Sequence, residues 1–273
     1  MNDGPSIHNL ASGSSANAML VRYGGTVGLI DAGLPFRRLT GALQLLGTHP
    51  SEVDFVFITH EHGDHVRSLP QLRRLGATII CSRGTARALG MPTTSYSPAV
   101  AWKTRSIAGF EITPLPVSHD AAEAMGVMLS AASFTLTVLT DLGCVTAELQ
   151  EPLSVAETVV IEANHDVDML RFGPYPHYLK QRVLSKRGHL SNVDCGVALQ
   201  AIIERSANLK MIWLAHLSET NNCPRTATST VAGLTSGIPI AALARHHSVD
   251  LMRAPEVSAM GTFASQRKLR LDF

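Results

Sequence analysis

Thr59-His60-Glu61-His62-Gly63-Asp64-His65 stands directly after an apolar run made by Val53, Phe55, Val56, Phe57 and Ile58. The run reads as a short buried strand. A buried strand that ends in three histidines and an aspartate delivers them together at one rim of a sheet. Imidazole and carboxylate are good ligands for Zn²⁺, Mn²⁺ or Fe²⁺. His60 and His62 are two residues apart, so locally extended backbone points them the same way. Asp64 and His65 follow the turn at Gly63 and can face a second ion. The spacing H-x-H-x-D-H therefore suits two adjacent metals. A polar loop with chance histidines is the plain alternative, and four ligands at fixed spacing behind a strand weigh against it.

Outward from this stretch, the same rhythm recurs. Val27 to Ile30 ends in Asp31-Ala32-Gly33, Phe110 to Val117 in Ser118-His119-Asp120, and Phe134 to Leu139 in Thr140-Asp141-Leu142-Gly143. Thr158 to Ile161 runs into Glu162-Ala163-Asn164-His165-Asp166, and Met211 to Leu214 into Ala215-His216. A lone strand-end histidine is more often structural, but six such endings describe a site assembled along one edge of layered sheets. Asp31, costly to bury unpaired, is placed to orient a metal-binding histidine or to cap a turn. Pro35 opens a helix with Phe36, Leu39, Leu43 and Leu46 on one face. Ser191 is a good N-cap with Asp194 three residues on, and Val193, Val197 and Ile202 are expected to form that helix's inner face. His189 sits just before its start, where an anion is favoured. Alternating strands and helices give an α/β layered protein. No internal repeat is visible beyond the strand-then-ligand rhythm.

The chain has 273 residues, 45% hydrophobic and 16% charged, which excludes a disordered protein. One domain over 1–273 is expected. Met1 to Leu10 lacks the basic start and apolar centre of a secretory leader. Ala124 to Thr140, the longest uncharged stretch, is broken by Gly126 and reads as two paired strands rather than a membrane span. Cys81, Cys144, Cys195 and Cys223 form no C-x-x-C pair, so a reduced, cytoplasmic protein is expected. The net charge is only +1, but it is segregated. Val66 to Phe110 holds seven cations and no acid, Ser106 to Leu170 ten acids and no Lys or Arg, and Arg171 to Gly188 five cations and no acid. Such blocks can line a basic groove beside the site or lie as solvated helix faces. Ile238 to Ala244 reads as a strand. His246-His247 lacks a partner pattern and is left outside the site. Arg267 to Arg270 reads as a solvated end.

These residues resemble a known family. Asp31, the H-x-H-x-D-H run, His119, Asp141 and His216 occur in the order and spacing of metallo-β-lactamase-fold hydrolases. More closely, the chain resembles the YycJ (WalJ-like) group of bacterial exonucleases. The stretches that carry the likeness are Leu10 to Ser15, Val117 to Ala121, Glu162 to Asp166 with Met169-Leu170, Gly173-Pro174-Tyr175-Pro176, Gly188 to Asn192 and Ala215 to Ser218 with Asn221-Asn222. Ala16 departs from it, since the family's loop carries Gly there.

The resemblance implies a four-layer αββα metallo-β-lactamase sandwich with two divalent ions. His60, His62 and His119 would hold one, Asp64, His65 and His216 the other, and Asp141 would bridge them. It further implies a metal-dependent phosphodiesterase, a 5′-to-3′ DNA exonuclease, in which a metal-bridging hydroxide attacks the scissile phosphate. Glu162 and His189 match the Glu of an E-A motif and the His of a G-H-S motif in tRNA 3′-processing nucleases. Asp64, Glu162 and His189 are thus the expected catalytic residues, with Glu162 orienting His189 toward the scissile phosphate or the leaving oxygen. Ser12, Ser14, Ser15, Asn164 and His165 are expected to line the substrate site, with joining the metal shell or bracing the loop as the alternatives for His165. Hydrolysis of small esters, thioesters or β-lactams is the alternative enzyme class. A binding module with a vestigial site is a third reading, disfavoured by the full ligand set.

Overall fold

The computed structural model describes residues 4–132, 134–243 and 248–252. His246-His247, Ala244 and the basic tail lie outside the described residues. In chain order the strands are β1 Ser6–Ala11, β2 Ala18–Tyr23, β3 Thr26–Ile30, β4 Phe55–Phe57, β5 Thr78–Cys81, β6 Ser97–Pro98 and β7 Arg105–Ile107. There follow β8 Phe110–Pro116, β9 Met125–Ala131, β10 Phe134–Leu139, β11 Thr158–Glu162, β12 Met211–Ala215, β13 Ile240–Ala242 and β14 Val249–Asp250. Among the described residues they form two sheets, ordered β14-β1-β2-β3-β4-β5-β6 and β13-β12-β11-β10-β9-β8-β7.

The two sheets are built alike. In the first, β1, β2 and β3 pair antiparallel, and β3 to β6 run parallel. In the second, β8, β9 and β10 pair antiparallel, and β10 to β13 run parallel. Each sheet switches from hairpin to parallel pairing at a strand followed by Asp-x-Gly: Asp31-Ala32-Gly33 after β3 and Asp141-Leu142-Gly143 after β10. Both aspartates have positive φ, 60° and 54°. This matched pair is an internal echo too short to stand out in the sequence.

Strand periodicity explains the layers. Successive side chains point to opposite faces. In β4, Phe55 and Phe57 enter the apolar layer between the sheets, and Val56 enters the layer under the outer helices. In β12, Trp213 faces the other sheet while Ile212 and Leu214 face outward. Three separate buried clusters result, one between the sheets and one on each outer side. The outer ones are covered by helices such as Phe36–Leu45, which contributes Leu39 and Leu43, and Asn192–Ile203, which contributes Cys195, Leu199 and Ile202. Three apolar layers between four layers of secondary structure make an αββα sandwich. The uncharged stretch from Ala124 is the β9–β10 hairpin. No helix among the described residues is long and apolar enough to cross a membrane.

One expected face is wrong. Val193 and Val197 are exposed, at 44% and 60%, and only Ile202 of the expected trio is buried. Ile202 lies nine residues beyond Val193, about half a turn out of phase at roughly 100° per residue. The inner face is Asn192, Cys195, Gly196, Leu199 and Ile202. A Cβ on Gly196 would come within 2.7 Å of the Leu234 side chain, so a glycine lets helix Pro224–Leu234 pack close.

Candidate metal centre and active site

Parallel strands present their C-terminal ends at one rim, and the site is built there. β4 ends at Phe57, and Thr59, His60 and His62 follow, with His62 in extended backbone. His62 then caps a helical turn, Gly63–Val66, that carries Asp64 and His65. Asp31 follows β3, His119 follows β8, Asp141 follows β10, Glu162 ends β11, and His216 follows β12. Asp31, Asp141 and His216 all have positive φ, 60°, 54° and 54°. Left-handed backbone is costly for most side chains and least so for Asn, Asp and His. At these three strand ends it turns the chain sharply and keeps the side chain in the cleft.

The two trios named from the sequence meet in space. His60, His62 and His119 bring one ring nitrogen each within 4.8 Å of one another, and the ligand atoms of Asp64, His65 and His216 lie within the same limit. Asp141 joins His60 and His65 in one such group and Glu162, His189 and His216 in another. It thus lies between the trios. Asp141 Oδ2 and the Nε2 atoms of His119 and His216 are buried and form no well-directed hydrogen bond among the described residues; they approach only other groups of the cluster and its rim, as Asp141 Oδ2 does His65 Nε2 at 3.1 Å and His119 Nε2 does Asp120 at 3.3 Å. Buried polar atoms normally have partners. Orphaned donors converging from a His/Asp set are what a divalent cation would satisfy, so these residues fit a metal centre.

The groups behind this cluster fix its rings. Asp31 Oδ2 lies 2.7 Å from His65 Nδ1, and the Asp31 carboxylate accepts from the Thr59 N–H and hydroxyl at 2.9–3.0 Å. Glu162 Oε1 lies 2.8 Å from His189 Nδ1 and 2.8 Å from His216 Nδ1. Its Oε2 accepts from the Leu142 N–H at 2.8 Å. Glu162 is completely buried, so all of its charge is spent on these neighbours. The pair with His189 was anticipated; the bond to His216 was not.

Electrostatics divides the cluster into proton-poor and proton-rich groups. Burial, reinforced by His65, drives the His60 pKa down to about 2, leaving a neutral imidazole. Burial also opposes a charge on His216, yet Asp141, Asp64 and Glu162 outweigh it and push its pKa up to about 10. Burial would raise Glu162, but His189 and His216 hold it ionised, near 2. Asp141 is likewise held well below the usual carboxylate range against its burial by His216 and His65. His189, desolvated but facing Glu162, is raised. His65 too is raised, against its burial, by Asp31 and Asp141; neutral imidazoles and ionised carboxylates are the ligand forms a divalent ion needs, so ion binding would release the protons favoured on His65 and His216.

The five expected substrate residues separate. Ser14 and Ser15 are exposed on the loop after β1. Ser12 is buried and accepts the His216 N–H at 2.9 Å. Asn164 is buried and donates to the His216 carbonyl at 2.8 Å. Ser12 Oγ and Asn164 Nδ2 are therefore engaged with the His216 turn. His165 is 1% exposed, and neither ring nitrogen has a hydrogen-bond partner among the described residues; burial lowers its pKa to about 4. Two further residues belong to the cluster and were not singled out. Asn17 Nδ2 lies 3.3 Å from Asp64 Oδ2 and 3.0 Å from His65 Nε2. Thr59 links Asp31 to His60 Nδ1 at 3.0 Å. Their positions, closing the Ser-rich loop and opening the histidine run, were the available signals.

A sandwich with a His/Asp cluster at the strand ends defines a metallo-β-lactamase-fold protein. Residues 28–211 match the beta-lactamase superfamily domain family. The fold is shared with YhfI of Bacillus subtilis, a metallo-beta-lactamase fold protein, at TM-score 0.70 and 15% identity over 90% of this chain and 100% of that one. The chain is 35% identical over 231 residues to exodeoxyribonuclease WalJ of Streptococcus pneumoniae, covering 81% of this chain and 85% of that protein. It is 32% identical over 229 residues to exodeoxyribonuclease YycJ of Bacillus anthracis, covering 82% and 86%. The chain belongs to the WalJ/YycJ family within the beta-lactamase superfamily.

Proposed function

We propose that this protein is a metal-dependent phosphodiesterase that hydrolyses nucleic acid, a DNA exonuclease working from a 5′ end. The observation that carries the reading is the Glu162–His189 pair beside the ligand trios. His189 keeps 18% of its side chain open to solvent, whereas Glu162 is closed off. Glu162 occupies His189 Nδ1, which leaves Nε2 as the nitrogen that can meet a substrate. The carboxylate also favours the protonated ring. A cationic imidazole at the cleft can donate to a scissile phosphate oxygen or return a proton to the leaving oxygen. Attack on a carbonyl needs no such phosphate-gripping cation. The relatives named exodeoxyribonucleases support DNA as the polymer.

His60, His62 and His119 would hold one ion, Asp64, His65 and His216 a second, and Asp141 would be shared. Bound there, Zn²⁺, Mn²⁺ or Fe²⁺ would supply Lewis acidity and offset phosphate charge. Asp31 sets the ring of His65. Ser12 and Asn164 fix the backbone of His216, and Ser14 and Ser15 remain to meet substrate. The four cysteines form no disulfide, which suits a reducing cytoplasm.

The test is cleavage of single-stranded DNA labelled at one end, with Mn²⁺ or Zn²⁺ supplied. Stepwise release of nucleotides from the 5′ end, abolished in the His62→Ala, Asp64→Ala double variant, is expected. Failure of the metal-loaded protein to cut any DNA or RNA would overturn the reading in favour of small ester, thioester or β-lactam hydrolysis.

A further inference from the structure

Between β11 and helix Asn192–Ile203 the chain makes an arm, residues 166–188, with two short helices, Val167–Phe172 and His177–Val183. Among the described residues, the two most exposed large hydrophobic side chains are on it. Phe172, at the end of the first helix, is 81% exposed, and Tyr178, near the start of the second, is 74% exposed. Single exposed apolar side chains are ordinary on a surface; here two rings stand six residues apart on one short segment that also carries the cations described next. They are not held on slack chain. Asp166 caps the first helix through the N–H groups of Asp168 and Met169. A Cβ on Gly173 would come within 2.4 Å of the Met169 carbonyl, and Pro174 and Pro176 stiffen the connection.

The same arm is basic. Arg171, Lys180, Arg182, Lys186 and Arg187 lie on it, and no acid falls between Arg171 and Gly188. Arg182 pairs with Asp120 and Arg171 with Asp168. Among the described residues, Lys180, Lys186 and Arg187 have no carboxylate within ion-pair distance; Lys180 and Arg187 reach backbone carbonyls instead.

The arm is bolted to the cleft. Arg187 donates twice to the His119 carbonyl at 3.2 Å, and Ser118 donates to the Lys186 carbonyl at 2.8 Å. A Cβ on Gly143 would collide with the Lys186 carbonyl, at 2.4 Å, so the glycine after Asp141 is what lets the arm approach. At its far end the arm runs directly into His189. Exposed rings, unneutralised cations and continuity with the cleft occur together on one segment.

We propose that this arm is a track for a single-stranded nucleic acid leading into the cleft, with bases stacking on Phe172 and Tyr178 and phosphates passing Lys180, Lys186 and Arg187. Every base has a flat face, so such a track is tolerant of sequence. It needs unpaired bases, which a duplex does not offer. This deepens the nuclease reading and rests on it for the choice of polymer. A protein or a second copy of the chain would use the rings equally well but would have no call on the row of cations.

The experiment measures binding by fluorescence anisotropy, with metal-loaded full chain and a labelled phosphorothioate dT12 that resists cleavage. The Phe172→Ala, Tyr178→Ala double variant is expected to bind the single strand at least roughly ten-fold more weakly. The loss should grow with length from dT2 to dT12 and be small on a blunt duplex. Phe172→Trp retains affinity and Phe172→Leu does not. Lys186→Ala lowers the slope of log Kd against log salt by roughly 0.7, while the ring variants leave that slope in place. Unchanged affinity for the strand, or an equal loss on duplex, overturns the proposal. So does unchanged affinity with a change of oligomeric state in sedimentation, which would assign the rings to contact between copies. The proposal and the activity fail separately. A wild type that binds the strand through the rings but never cuts overturns only the nuclease reading, and one that cuts while the ring variants bind normally overturns only the track.

Discussion

Glu162 Oε1 sits between two imidazoles, at 2.8 Å from each, and those rings have different proposed tasks. His189 meets substrate and His216 holds metal. Their removal should therefore separate. His189→Ala is expected to lower kcat by roughly 10²- to 10⁴-fold with metal content unchanged. Glu162→Gln is expected to lower both turnover and metal affinity, each by roughly 10- to 100-fold. Steady-state kinetics beside metal analysis by mass spectrometry checks both; equal metal loss in the two variants would refute the division. His165 makes a different prediction. Its folded pKa is lowered to about 4 from 6.5, so the unfolded chain takes up a proton that the folded chain refuses. That stability is intact above pH 6.5 and is lost as pH falls toward 4. Between pH 7 and 4.5, urea unfolding of the metal-free wild type should lose about 2–3 kcal/mol more than that of His165→Gln. At this scale the cluster of proposed ligands was legible because each is a His or Asp behind an apolar run. Glu162 and His216 are 54 residues apart, and their contact has no local signature. The engagement of Ser12 and Asn164 with the His216 turn was hidden for the same reason.

Among the elements, the informative ones are the twin Asp-x-Gly turns. Asp31 and Asp141 leave equivalent strands with the same backbone kink, and the following glycine allows a close approach each time. A Cβ on Gly33 would fall 1.6 Å from the Asp64 carbonyl oxygen, on the turn that carries two proposed ligands. Gly33→Ala must displace that backbone. It is expected to lower thermal stability, by at least about 2 kcal/mol, and metal occupancy together. Differential scanning calorimetry with metal analysis would show it; a variant of wild-type stability and occupancy would mean the turn yields freely. The strands were readable because alternating or continuous apolar runs ended in polar punctuation. Helix Asn192–Ile203 was placed correctly from its Ser191 cap, yet its inner face was misread. It is apolar nearly all round, so hydrophobic pattern alone does not choose a side, and Gly196, the true contact with Leu234, looks like a defect in a sequence. The paired Asp-x-Gly is too short a repeat to stand out before both sheets are seen.

For the molecule as a whole, the four proposed ligands His60, His62, Asp64 and His65 follow strands of one sheet, and His119, Asp141 and His216 follow strands of the other. Ions held there would couple the halves. Chelation should lower stability by about 4 kcal/mol for metal supplied at roughly a thousand times its Kd. That corresponds to a fall in melting temperature of roughly 10 °C for a chain of this size. Thermal melts with and without EDTA measure it, and coincident melts would remove the metal from the stability account. The layered sandwich was legible at this scale because motif order carries it. The arm at 166–188 was legible only as a block of charge, since exposure of Phe172 and Tyr178 is not written in their neighbours.

The tie from Ser12 to His216 spans 204 residues, and it has a bearing on how the protein is made. Synthesis proceeds from the first sheet to the second. A nascent chain displays the histidine run early, but His216 and the turn that Ser12 steadies arrive only after some four-fifths of the chain has been translated. Until then the proposed set of seven ligands lacks its last member. On the proposed ligand set, the centre is completed only when residues from both sheets have met.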